Sequence, residues 1–295
     1  MGREPQERPH HTDSGRADRD VHHQFDQVGG TRPSGCFPFD PLTVGRGTLR
    51  PPRACSHARV VGQAGVRRDR GGSAGLGTAT PTAAVGRVLA LIVAIGVVLY
   101  VALTFLLGWM WEGYDPIRDT QSELGAVDSP YRTWMNIGGF MGLGVVILCF
   151  AAAYHLLLRD GIAKTIATAL VMVAGVGMIV VGFFPCDAGC VDVTRTGELH
   201  GLWSMPGAIG LPLAAMLSAS VFRTDGRFGT RWQAASFWIG LLSLVSGPIV
   251  ALGWIEGVPG LLQRAGMWPS LFWMMAVSLR LVWLDEAHAA QGARV

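Results

Sequence analysis

Six runs of apolar residues decide what this 295-residue chain can fold into. They are Val88–Trp109, Thr133–Leu158, Thr165–Phe184, Leu202–Phe222, Ala234–Trp254 and Ala265–Leu284. Each is close to the ~20 residues that an α-helix needs to cross the hydrocarbon core of a bilayer. No acid interrupts any of them. The one Arg within them, Arg280, falls near a last turn, from which a long side chain reaches the interface. Helices of a soluble protein carry a polar face, and these do not. The expected class is all-α: a polytopic integral membrane six-helix bundle preceded by a disordered N-terminal tail. The divisions fall at 1–84 for the tail, 85–285 for the transmembrane domain and 286–295 for a short cytoplasmic tail.

Charge sets the orientation. Arg159 and Lys164 flank the second loop, and Arg223, Arg227 and Arg231 crowd the fourth. The first, third and fifth loops hold Arg118, Arg132, Arg195 and Arg264 among many acids, which count little in the positive-inside rule. Both termini are therefore expected in the cytoplasm of a multi-pass protein of the cell's inner membrane. Tryptophan placement agrees: Trp109, Trp111, Trp134, Trp203, Trp254 and Trp268 fall at proposed outer ends, and Trp232 and Trp283 at inner ends. Trp238 and Trp273 lie deeper, where packing is the expected role.

The tail carries twelve of the 24 Lys and Arg, so the basic balance belongs to it and not to the bundle. Two readings compete. One is a disordered basic arm, too poor in apolar residues to offset the entropy of ordering. The other is a mis-assigned start, since a single Lys in the chain and an Arg/Gly/Pro-rich text fit GC-rich DNA upstream of a true start near Val85. A basic arm suits anionic lipid or RNA, but the charge belongs to the tail alone, and no nucleic-acid partner is expected. Membrane lipid is the partner that the apolar runs require, and the oligomeric state is open.

Chemistry concentrates in two loops of the proposed outer face. The first reads from Tyr114 to Gly125 and places Asp119, Ser122 and Glu123 at i, i+3 and i+4, one face of a helical turn. Two carboxylates and a hydroxyl there suit a cation or a cationic headgroup, or acid–base work on a water. The competing reading is a capping box, Thr120-Gln121-Ser122-Glu123, in which side chains satisfy backbone donors. Ser129-Pro130 likewise reads as an N-cap followed by Pro at the first helical position. The third loop carries Cys186, Asp187, Cys190 and His200. Facing an oxidising exterior, Cys186 and Cys190 suit a small disulfide. Free thiols, or a zinc site with His200 and Asp187, are the alternatives, though a C-x3-C with one distant His is a weak metal pattern. Asn136, one turn into the second span, would complete a polar cluster of Asp119, Ser122, Glu123, Asn136, Asp187 and His200. No metal or other cofactor is called for.

Packing signals lie within the spans. Gly138 and Gly142 form a small-xxx-small pair that permits close helix approach. Pro206, Pro212, the Gly247-Pro248 pair and Pro269 are expected to kink or open their helices.

The pattern Asp119-x-x-Ser122-Glu123-Leu124-Gly125, then Asn136 and a Gly-rich second span, resembles an uncharacterised bacterial six-span family, domain of unknown function 998. The run Gly182-Phe183-Phe184-Pro185-Cys186-Asp187 and the later Gly197-x-Leu199-His200-Gly201 are similar to that family's third-loop signature. The likeness covers roughly residues 86–284. It implies a six-helix integral membrane protein, with no reaction or catalytic residues to carry over.

Three functions follow from the residues. The first is binding or transport of a small polar ligand or lipid headgroup through the outer cluster. The second is a membrane-embedded lipid hydrolase, metal-dependent or built on Ser122, His200 and Asp187, although no nucleophile-elbow glycines surround Ser122. The third is a non-catalytic envelope partner or sensor.

Overall fold

The computed structural model describes residues 81–251, 255 and 257–292. The expectations for the tail before residue 81, and for Trp254, lie outside these. Six long helices make up the described chain: α1 Pro81–Met110, α2 Trp134–Leu157, α3 Ile162–Val181, α4 Arg195–Thr224, α5 Thr230–Ala251 and α6 Pro259–Gly292. Among the described residues there is no strand. Five of the helices are long and apolar enough to cross a membrane. The sixth, α5, has 22 residues and packs against α4 and α6. Helix α6 runs past the expected boundary at 285.

The helices pack in chain order, and α6 returns to α1 to close the ring. Val93, Val97 and Tyr100 of α1, Ile147, Phe150 and Tyr154 of α2, and Met274 and Val277 of α6 are buried in the centre. The opposite face of α1 exposes Val88, Leu91, Ile95, Val98, Leu99 and Leu106. Water would penalise so continuous an apolar surface, and lipid does not. This is a multi-pass membrane protein.

Close helix approach falls elsewhere than at Gly138 and Gly142. Gly138 faces outward, with only Leu103 near it, and Gly142 meets nothing beyond its own helix. The contact between α2 and α3 forms at Gly144 and Gly175 instead. A Cβ on Gly144 would stand 2.7 Å from the Gly175 carbonyl oxygen.

Two helices widen into π turns where a side chain or a proline disturbs the ladder. In α2 the π stretch Trp134–Met141 contains Asn136, whose amide takes the Arg132 carbonyl four residues back, at 2.8 Å. In α4 the stretch Pro206–Gly210 opens at Pro206, which has no N–H to return. Pro269 is carried inside α6. Of the two deeper tryptophans, Trp273 is buried and donates to Ser236 Oγ at 2.8 Å, whereas Trp238 is exposed on the outside of the bundle.

At one end the short loops are tied by charge. Lys164 is buried and donates to the His155 and Leu158 carbonyls, capping α2, and to Asp160 at 2.6 Å. Asp225 is fully buried and paired with Arg227, which also reaches the Leu157 carbonyl at 2.6 Å. Burial alone would raise the Asp225 carboxyl. The bonds and charge of Arg227 outweigh it and hold the group below the ordinary carboxylate range.

Candidate functional site

At the opposite end the first loop folds back onto the start of α6. Asp115 and Asp119 close a turn: the Asp119 amide donates to the Asp115 carbonyl at 2.6 Å, and Asp119 Oδ2 accepts from the Asp115 amide at 2.7 Å. Glu123 Oε1 accepts from the Thr120 amide at 2.8 Å and from its hydroxyl at 3.0 Å. That reach back to a backbone donor is the capping geometry. The Gly260 and Leu261 amides then donate to the Arg118 and Ile117 carbonyls. Gly260 permits this contact, because a Cβ there would strike the Asp119 and Pro116 carbonyl oxygens.

The loop is locked by an arginine and a glutamine. Arg264, only 8 % exposed, directs Nη1 at the Pro116, Asp119 and Gly260 carbonyls, 2.6, 3.0 and 3.0 Å away. Its Nη2 donates to the Tyr114 hydroxyl at 2.6 Å, and that hydroxyl donates on to the Thr120 carbonyl at 2.9 Å. Burial pushes the Tyr114 hydroxyl above the ordinary phenol range, while Arg264 beside it pulls the other way. No carboxylate pairs with Arg264, and its Nε finds no acceptor among the described residues. Gln121, 1 % exposed, accepts from Trp268 Nε1 at 3.0 Å and from the Tyr100 hydroxyl at 3.5 Å. The Gln121 amide donates to Gln263 Oε1 at 2.6 Å, and Gln263 Nε2 donates to Ser122 Oγ at 3.2 Å.

Two adjoining cavities open beside this lock. The larger, about 410 Å³, is lined by Phe105, Trp109, Trp111, Tyr114, Trp268 and Arg264, among others. It is an aromatic slot with a buried guanidinium in its wall. The smaller, about 320 Å³, is lined by Glu112, Asp119, Glu123 and Asp128, with Gly189 contributed by the third loop. Trp111, Glu112, Gly113 and Tyr114 border both. Among the described residues no basic side chain lines the smaller depression, and Glu112 and Asp128 have no bonding partner.

The third loop is held by its own carboxylate. Asp187 Oδ2 accepts from the Val193 and Thr194 amides at 2.9 and 2.7 Å, and Oδ1 from the Thr194 hydroxyl at 2.8 Å. Those bonds, Thr194's foremost, hold the Asp187 carboxyl below its ordinary range. Thr194 in turn caps α4, accepting from the Gly197 amide at 3.3 Å. Cys186 and Cys190 are joined as a disulfide with Cα atoms 5.0 Å apart, through a turn in which Gly189 and Cys190 take positive φ. The Val127 amide donates to the Cys186 carbonyl at 3.0 Å, which fixes this loop to the first.

His200 and Asn136 are buried beneath the loops. His200 Nδ1 lies 2.7 Å from the Phe184 carbonyl, so that nitrogen carries the proton. Asn136 Nδ2 donates to the Gly125 and Arg132 carbonyls. His200 Nε2 and Asn136 Oδ1 have no hydrogen-bond partner among the described residues.

Of the six residues singled out by sequence, the structure brings Asp119 and Glu123 to one depression. Ser122 is engaged with Gln263, and Asn136, Asp187 and His200 brace the loops. Ser122, Asp187 and His200 do not bond one another. With the two thiols joined, and no three His, Cys, Asp or Glu grouped as metal ligands among the described residues, the zinc arrangement has no ligand set. Sequence reading passed over Arg264, assigned to a loop, and Gln121, read as a capping position. One signal pointed to Arg264 and to Gln263, the partner of Gln121: Pro259 suits a first helical position. Starting the helix there stacks Gln263 on Met267 and Arg264 on Trp268, each at i and i+4.

The sequence profile described as protein of unknown function DUF998 matches residues 94–280. The chain belongs to the DUF998 family. That match takes in the first loop, the third loop and the start of α6, so both cavities of this DUF998 protein lie within the family's shared region. No curated protein and no solved structure matches the chain.

Proposed function

We propose that this DUF998 protein binds a membrane phospholipid by its headgroup, at the bundle end formed by the first loop and the start of α6. The carrying observation is Arg264: a guanidinium buried without a carboxylate, in the wall of an aromatic slot beside the apolar outer face of α1. Arginine suits a phosphate at such depth because its guanidinium keeps its charge when buried, and here both Nη atoms hold the loop and leave Nε over. Nε, left without an acceptor among the described residues, is the donor that a phosphate oxygen would take. Trp109, Trp111 and Trp268 stand where amphipathic rings meet headgroups. A charged group buried among membrane helices is by default a pointer to a functional site. With the termini cytoplasmic, as the charge bias argues, the site serves the outer leaflet.

The test is lipid retention. The detergent-purified protein is examined by native mass spectrometry against added phospholipid and against diacylglycerol, which lacks the phosphate. Phospholipid is expected to bind in preference, and Arg264→Gln to lower its occupancy about tenfold, ~1.4 kcal/mol. Arg264 also holds the first loop, so Trp109→Ala, which removes an 85 % exposed slot residue, supplies an arm that leaves the core intact. Equal retention by wild type and both variants, or equal binding of diacylglycerol, would overturn the reading.

A further inference from the structure

The acidic depression stands against the slot, and this proximity bears on which headgroup fits. Resting on the phospholipid-binding reading above, we propose that the preferred headgroup is an aminoalkyl phosphate: its phosphate sits at Arg264 and its ammonium in the depression lined by Glu112, Asp119, Glu123 and Asp128.

The argument starts from charge. Two of the four carboxylates already have work: Asp119 accepts from the Asp115 amide and Glu123 from Thr120. Glu112 and Asp128 have none, and no basic side chain among the described residues lines the depression. Four acids sharing one concavity repel one another, and a cation entering it relieves that repulsion. The cation is not a chelated metal, because no three of these groups are disposed as metal ligands. A diffuse organic ammonium, which needs field more than fixed coordination, suits them better. It also suits the ring of Trp111, which borders both cavities and stacks on Tyr114 with centroids 5.7 Å apart, the Tyr114 ring itself lying under the Arg264 guanidinium at 5.9 Å. An ammonium over such a face gains a further attraction.

Connectivity supplies the second half. Glu112 borders both the slot and the depression. Asp119 joins the two ends through its own atoms, since its carbonyl accepts from Arg264 at 3.0 Å while its residue lines the depression. Cationic and anionic subsites are thus adjacent, as a headgroup with phosphate and amine joined by a two-carbon linker requires. A purely anionic headgroup such as phosphatidylglycerol would place its hydroxyls against unpartnered carboxylates. Those hydroxyls donate hydrogen bonds to the carboxylates, but they bring no positive charge to set against the four negative ones.

The experiment is a competition in detergent between phosphatidylethanolamine and phosphatidylglycerol of identical chains, read by native mass spectrometry. Wild type is expected to favour phosphatidylethanolamine about tenfold, ~1.4 kcal/mol. Glu112→Gln with Asp128→Asn, neither bonded to the fold among the described residues, is expected to lower phosphatidylethanolamine binding to the level of phosphatidylglycerol, which stays bound in preference to diacylglycerol. Glu198→Gln, an exposed carboxylate of the same end outside the depression, keeps the preference. No preference in wild type, or a preference that survives the double variant, overturns the headgroup assignment while leaving the phospholipid site standing. Loss of all phospholipid selectivity over diacylglycerol in wild type would instead remove the reading beneath it. Water-soluble O-phosphoethanolamine is the remaining arm. It should compete only weakly, and displacement of lipid by it at micromolar concentration would reassign the site to a soluble ligand and overturn the lipid source.

Discussion

At the scale of single residues, the end of the bundle carrying the first and third loops depends on polar side chains that hold backbone rather than ligand. Asp187 is the plainest case. Its carboxylate is held below the ordinary range by the Thr194 and Val193 donors, so its folded-state pKa is lower than its unfolded one. Such a group stabilises the fold above the unfolded pKa and loses that contribution as pH falls through the folded value. Protection of the Val193 and Thr194 amides, their exchange rate relative to the intrinsic rate at the same pH, should therefore be high at neutral pH and fall in acid below the ordinary carboxylate range. In Asp187→Asn protection should be low at neutral pH and nearly indifferent to acid. Exchange that is equally slow in both would show that the carboxylate does not hold the loop. Gln121 makes a parallel case in the bundle. Gln121→Leu strands the Trp268 N–H and the Tyr100 hydroxyl, each at a cost of about 1–3 kcal/mol. A thermal-unfolding midpoint unchanged from wild type would contradict that. The sequence exposed Asp187 as a candidate but not its job, because the amides it binds are set by the loop's turn. It hid Gln121 more thoroughly, since two of its partners, Gln263 and Trp268, lie more than 140 residues away on α6.

At the scale of helices, composition and length were legible and the choice of contact face was not. The apolar runs located all six helices, because a bilayer demands length and the absence of charge, and both are written in one dimension. Which glycines meet a neighbour is a different matter. Lipid is as apolar as the bundle interior, so hydropathy marks no inner face, and Gly138–Gly142 was as good a signal as Gly144. The structure separates them by what a side chain would meet. Gly144→Leu forces Ile179 and the Gly175 carbonyl away from α2 and should cost at least the ~1–3 kcal/mol typical of overpacking. Gly138→Leu points outward beside Leu103 and should be near neutral. Denaturation of the two variants in the same detergent compares them directly, and equal losses would mean that α2 and α3 do not approach at Gly144. Helix ends were also misplaced. Starting α6 at Ala265 cut off the turn from Pro259 to Arg264, because Gln263 and Arg264 read as the loop side of a boundary. A membrane helix can begin polar when its first turn is buried against another loop.

At the scale of the whole molecule, the two ends of the bundle differ in kind. One holds the first and third loops, joined through Val127 and Cys186, with the acidic depression and the aromatic slot. The other holds the short loops tied by Lys164 and by the Asp225–Arg227 pair. That the odd loops share one end follows from the bonds between them. Which end faces the cytoplasm rests on charge alone. Arg159, Lys164, Arg223, Arg227 and Arg231 cluster at the second end, and a translocating chain retains such ends in the cytoplasm. The consequence is measurable. In a background where Cys36, Cys55 and Cys149 are replaced by Ser, single cysteines are introduced at Val193, which is 78 % exposed on the third loop, and at Arg223 at the opposite end. A membrane-impermeant maleimide applied to intact cells should label Val193→Cys, and should label Arg223→Cys only after permeabilisation. The reverse pattern would turn the bundle over and carry the slot to the inner leaflet. The lipid site would then serve the opposite monolayer, with Arg264, the slot and the depression unchanged in geometry.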